Sequence, residues 1–226
     1  MSVEFSVVSI GALSRNRLWG EAAPVRTSHA TTTAVFVDER LILVDPSLPA
    51  AALGPVLNER TGKQLADVTD VFCTTLRPVH RRSIAALAQA AWWVHADELN
   101  WYRSNLETLL DSAERLDVSQ ARDVEADLKL LERFRPAPER FAEQVTVYPL
   151  AGASPGSAGL LLTPPTSTVV IAGDAAITAE HLRRGQVWQG CADVEAALRS
   201  LSDFLELADV IVPGHDNVAM VPGRWL

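Results

Sequence analysis

Three short runs of aliphatic and β-branched residues each end in a loop crowded with polar side chains: VTDVFCT opens into CTTLRPVHRRS, TVVIA into GDAAIT, and DVIVP into GHDN. Such runs read as strands. A strand end is where an α/β fold exposes reactive groups, because the sheet fixes the backbone while the loop presents the side chain. The rest of the chain alternates in the same manner. Thr31 to Asp45 reads as a hairpin turning at Asp38, Glu39 and Arg40, Pro49 to Leu57 as a short helix ended near Gly62, and His80 to Ala90 as another, with Ile84, Leu87 and Ala88 on one face before the strand-like AWWVHA. From Asp97 to Glu143 the spacing turns helical. Leu99, Tyr102, Leu106, Leu109, Ala113 and Leu116 form one stripe and a second helix is expected from Val124 to Phe134, so residues 97–143 read as a helical insert. Strands resume at Val145–Leu150, Gly159–Thr163 and Thr168–Ala172. Asp193 caps a helix striped by Val194, Ala197, Leu198, Leu201 and Leu205, and a last strand runs from Asp209 to Pro213.

At 226 residues and about 150 per domain, with no linker and no internal repeat, the expectation is one domain over 1–226. Its core needs no disulfide or metal staple. Cys73 and Cys191 stand far apart and read as buried thiols. A net charge of −8 argues against nucleic acid as a partner, because phosphate neutralisation needs a clustered basic surface. No apolar run reaches the roughly 18 residues of a membrane-spanning helix. The N-terminal MSVEFSVVSIGAL has an acid where a secretory signal has basic residues, so a cytoplasmic location is expected.

Taken in order, the loops resemble those of the metallo-β-lactamase superfamily over about residues 30 to 217. That family carries an HxHxDH motif in its first loop, a Gly-His-Thr/Ser-Pro-Gly turn, a Gly-Asp pair and a Pro-Gly-His. Here the sequence reads Cys73-Thr74-Thr75-Leu76-Arg77-Pro78-Val79-His80, then Gly152-Ala153-Ser154-Pro155-Gly156-Ser157, Gly173-Asp174, and Pro213-Gly214-His215-Asp216-Asn217. Leu43-Val44-Asp45 stands where members commonly place an Asp at a strand end. The resemblance implies an α/β fold, the αββα sandwich of two mixed β-sheets flanked by helices, and a hydrolase-like ancestry.

The departures decide the functional expectation. The resemblance places the three histidines of the first metal position on Thr75, Arg77 and Ala153, none of which ligates a divalent ion well, and an acid of the second position on Val79. His80, Asp174 and His215 remain. The preferred expectation is a hydrolase-like pseudoenzyme whose dinuclear metal centre is largely lost, weakly active or non-hydrolytic, holding no cofactor, with Arg77 pairing with Asp174 in place of the metal charge. The alternative is a mononuclear metallohydrolase of a small ester, lactone or thioester, in which His80, Asp174 and His215 hold one Zn²⁺, Fe²⁺ or Mn²⁺ and Thr75 or Asp216 orients its water. A small-molecule ligand and self-association through the helical insert stay open as partners.

Other reactive residues have plainer readings. His29 reads as a turn or surface residue, His95 and His181 as structural, and Trp92, Trp93, Trp101 and Trp188 as packing. Ser154 and Ser157 lie outside any GxSxG elbow, and Cys191 has no adjacent base.

Overall fold

The computed structural model describes residues 2–111 and 117–221. One sheet takes β1 (Glu4–Ser9), β2 (Thr32–Val37), β3 (Arg40–Val44), β4 (Asp70–Cys73), β5 (Ala91–Val94) and β6 (Phe134–Pro136) in that order. The other runs from β7 (Arg140–Ala142) through β8 (Val145–Pro149), β9 (Ala158–Leu162), β10 (Val169–Gly173) and β11 (Val210–Pro213) to β12 (Ala219–Met220). Both sheets are mixed: β3 through β6 pair in parallel, as do β10 and β11, and the other pairs are antiparallel. Helices α1 (Ala50–Thr61), α2 (Ala96–Asp111) and α3 (Val118–Leu131) cover the first sheet, while α4 (Ala179–Arg184) and α5 (Val194–Leu207) cover the second.

The apolar runs lack alternation because each strand is buried on both faces. Phe72 of β4 enters the layer between the sheets with Ile42, Leu160 and Ile171, whereas Val71 and Cys73 turn to the layer beneath the helices. β10 divides likewise, Val169 and Ile171 facing inward and Val170 and Ala172 facing α5. Full burial of one such side chain contributes roughly 1.5–3 kcal/mol. Both anticipated helix ends hold: Gly62 sits at φ +71° and donates to the Asn58 carbonyl, and Asp193 accepts from Ala196 N at 2.9 Å.

Three expectations need correction. The helix read over 80–90 is two 3₁₀ turns, Pro78–His80 and Ile84–Leu87. Ile84 and Leu87 are buried three residues apart, a spacing that a 3₁₀ turn aligns on one face. The second helix of the insert starts at Val118 and not Val124, because Asp117 and Gln120 form a reciprocal capping box. The insert is helical only to Leu131: β6 and β7, within its expected bounds, extend the edges of the two sheets. Ala113 and Leu116 of the expected stripe lie outside the described residues.

Candidate functional site

The ends of β4, β10 and β11 open on one edge of the sandwich, and two glycines let their loops touch. Gly173 has φ +53°, and a Cβ there would fall 2.3 Å from Thr74 Oγ1; one on Gly214 would fall 2.7 Å from the Gly173 carbonyl carbon. Only glycine fits this approach, and it brings Asp174 against the first loop.

Asp45, just past β3, is held at φ +50° by what its carboxylate receives. Oδ1 accepts from Thr74 N at 2.9 Å, and Oδ2 accepts from Thr74 Oγ1 at 2.6 Å and from His80 Nδ1 at 2.9 Å. His80 is fully buried. Since its Nδ1–H faces that carboxylate, its Nε2 points at Asp174 Oδ1, 3.1 Å away. His215 repeats the pattern: Nδ1–H donates to the His29 carbonyl at 2.9 Å and Nε2 lies 3.2 Å from the same Oδ1. The two rings meet edge to face at 5.7 Å. These three atoms lie within 4.8 Å of one another. The His80–Asp174 approach is out of hydrogen-bond alignment, so His80 Nε2 and Asp174 Oδ1 are buried with no hydrogen-bond partner among the described residues.

The other oxygen of Asp174 belongs to Arg77. Nη1 donates to Oδ2 at 2.7 Å, Nη2 donates to the Ala153 carbonyl, and the guanidinium lies over the Trp188 ring at 4.5 Å. Burial pushes His80 down, but the charges of Asp174 and Asp45, with the hydrogen bond to Asp45, outweigh it and raise the imidazole to about 10. Burial pushes Asp174 up, and His80 and His215 bring it well below the usual carboxylate range. The ion pairs thus balance internally, Asp45 and Asp174 against His80 and Arg77.

The remaining aligned positions face elsewhere. Thr75 Oγ1 donates to Glu98 Oε1 at 2.7 Å. The Asp216 carboxylate oxygens accept from Ala179 N at 3.1 Å and Asn217 N at 2.8 Å. Ala153 contributes only its carbonyl. Val79 lines a surface cleft with Pro78, Arg81 and Leu130. His29 Nε2 lies 2.8 Å from the Ile10 carbonyl, His95 Nδ1 accepts from Asp97 N, and His181 Nδ1 meets Thr178 Oγ1 at 2.7 Å.

Two residues escaped the sequence. Glu98, wholly buried at the start of α2, accepts from Thr75 Oγ1, from Leu76 N at 2.9 Å and from Ser154 Oγ at 2.6 Å, tying the first loop to the second. An acid beside a helical stripe carries no mark of such a role. Trp188, read as packing, is instead half-buried against Arg77.

The fit to metal divides along this line. Nε2 of His80, Nε2 of His215 and Oδ1 of Asp174 form a chemically suitable donor set for one divalent ion, with each imidazole oriented through Nδ1 by a carboxylate or a carbonyl. Among the described residues no group is placed to hold a second ion: Thr75 Oγ1 is turned to Glu98, Ala153 has no ligating side chain, and Arg77 offers a cation.

A family model described as the metallo-beta-lactamase superfamily matches residues 26–215. No curated protein matches the chain in sequence. Among solved structures, a Thermotoga maritima protein assigned by inference as a metallo-beta-lactamase aligns at TM-score 0.71 and 16% identity, over 97% of this chain and 100% of that one. AbOPH, a hydrolase in the beta lactamase superfamily, aligns at TM-score 0.66 and 16% identity over 100% and 92% of the two chains. AidC, a dizinc quorum-quenching lactonase in complex with a product, N-hexanoyl-L-homoserine, aligns at TM-score 0.63 and 15% identity over 91% and 80%. At such identities the structural likeness carries the fold alone, two mixed sheets between helices. With the family model covering most of its length, the chain belongs to the metallo-beta-lactamase superfamily.

Proposed function

We propose that this chain is a non-hydrolytic member of its superfamily, in which a protein-only ion-pair centre replaces the dinuclear metal site. The observation that carries this reading is the Arg77 fork, one nitrogen on Asp174 Oδ2 and another on the Ala153 carbonyl, at two positions the family uses for metal. A fixed positive charge about 4 to 5 Å away opposes a divalent ion by roughly 7 kcal/mol at an effective dielectric near 20. An ion would also have to displace the His80 proton, held to about 10, which costs roughly 4 kcal/mol at pH 7. Cys73 and Cys191, both free thiols, accord with a reducing, cytoplasmic setting.

A second reading has its own support. The partnerless Nε2 of His80 and Oδ1 of Asp174, with Nε2 of His215, would suit a single Zn²⁺, Fe²⁺ or Mn²⁺. Such an ion supplies a water acidic enough to attack a small ester, lactone or thioester near neutral pH. The likeness to quorum-quenching lactonases makes lactones the first substrates to try.

Elemental analysis after dialysis, beside a rate screen on esters, lactones and thioesters, tests both. We expect well under one metal equivalent, and rates about a thousandfold or more below an ordinary enzyme, the equivalent of about 4 kcal/mol of lost transition-state stabilisation. Two tightly held ions would overturn the loss of the first position. One ion, with turnover of about 10 per second abolished by His215→Ala, would install the mononuclear hydrolase.

A further inference from the structure

Beside the Arg77 centre, and sharing the Trp188 wall with it, lies a cavity of about 330 Å³. Its polar lining includes Arg15, Arg17, His181 and Gln189, while Leu18 and Trp188 supply apolar surface. No acid lines it. Arg15 donates to the Ala22 carbonyl at 3.0 Å and Arg17 to the side-chain carbonyl of Gln189, so each guanidinium is anchored through one nitrogen and retains further donors. Neither arginine is ion-paired among the described residues, although other arginines of the same region are: Arg26 with Glu21, and Arg184 with Glu180. In a chain of net charge −8, two unpaired guanidiniums beside an aromatic ring in one concavity form a local positive field.

We propose that this cavity binds a small organic anion, its carboxylate or phosphate gripped by Arg15 and Arg17 and its apolar body laid against Trp188 and Leu18. Planar guanidinium forks match the paired oxygens of either group, and fixing them through the Ala22 carbonyl and Gln189 lowers the entropy lost on binding. His181, in the first turn of α4 with its Nδ1 engaged by Thr178, also lines the cavity. This inference rests on the arginines and not on the metal state of the His80 cluster, so the two fail separately.

The test is calorimetric titration of the intact protein with phenylacetate and with phenyl phosphate, against 2-phenylacetamide as the neutral analogue. At least one anion should bind saturably with a dissociation constant at or below about 1 mM, and the amide at least tenfold more weakly. Arg15→Gln/Arg17→Gln should weaken the anion at least tenfold, whereas Arg183→Gln, which lines a different groove, should leave it unchanged. Binding should change tryptophan fluorescence, and Trp188→Phe should remove that change. The stronger anion identifies the head group. Equal affinity for acid and amide, no saturation by either anion, or unchanged affinity in a folded double variant would overturn the proposal; the acid–amide comparison decides it even if the double variant does not fold.

Discussion

At the scale of single residues, the centre is held by charged side chains that meet across distant loops, Arg77 with Asp174 and His80 with Asp45. Arg77 announces itself because an arginine aligned with a metal ligand must find an anion, and Asp174 is the anion the neighbouring motif supplies. Asp45 was visible as a strand-end acid, but its grip on His80 was not, since that bond spans 35 positions. Glu98 was invisible. Its three donors come from Thr75, Leu76 and Ser154, all of which stand at or beside lost ligand positions, so the acid cross-links what the metal would have bridged. Its replacement can be argued atom by atom. In Glu98→Gln the amide oxygen keeps Thr75 and Leu76 while the amide N–H₂ donates to Ser154 Oγ, whose hydroxyl can accept instead of donate. Denaturant unfolding of that variant should differ from the parent by about 1 kcal/mol or less. Glu98→Leu leaves a buried amide N–H and two hydroxyls without acceptors and should cost about 3 kcal/mol or more. Equal losses in the two variants would mean that Glu98 contributes shape and not hydrogen bonding.

Between elements, patterns long enough to repeat were readable, whereas β6 and β7, three residues each, had no period to show. Both sit at sheet edges, where pairing with a neighbour and not local propensity makes the strand. Arg40 of β3 shows how the layers are then pinned. Its Nε and Nη2 hold the Asp70 carboxylate on β4 at 2.9 and 2.7 Å, Nη1 donates to the Phe141 carbonyl on β7, and Trp93 Nε1 donates to Asp70 Oδ1 at 2.8 Å. One arginine thus ties the first sheet to the edge of the second. Burial pushes Asp70 up, but the hydrogen bonds from Arg40, Thr69 and Trp93 and the charge of Arg40 bring it below its ordinary 3.8. A carboxylate depressed on folding stabilises the protein above its unfolded pKa and loses that contribution as pH falls through the folded value. Stability should therefore drop as the solution is acidified from about pH 5 downward, and Asp70→Asn should lower stability at neutral pH while flattening that part of the acid limb. Parallel acid limbs in parent and variant, measured by urea midpoints across the range, would remove Asp70 from the account.

For the molecule as a whole, the order of four motifs carried the resemblance to the superfamily, and that resemblance, with the βα alternation, implied the sandwich. What the order could not give is which charges settle the centre, since that depends on contacts such as Arg77 with Trp188 that join loops more than a hundred residues apart. The global stability curve reads out the answer. A ligand present at a hundred times its dissociation constant stabilises the folded state by about 2.7 kcal/mol, and for a chain of this length each kcal/mol moves the melting temperature by about 2–4 °C, so a resident ion is worth roughly 5–10 °C. If Arg77 and the charged His80 close the centre without metal, EDTA and added zinc should each leave the Tm of the parent within about 2 °C, too small a change for a tight site. Arg77→His removes the opposing charge and returns an imidazole to an aligned ligand position, so zinc should raise its Tm by about 5 °C or more while EDTA returns it to the metal-free value. A parent protein whose Tm falls by that amount in EDTA and recovers with zinc would carry an ion in spite of Arg77, and the centre would then be the mononuclear one held by His80, Asp174 and His215.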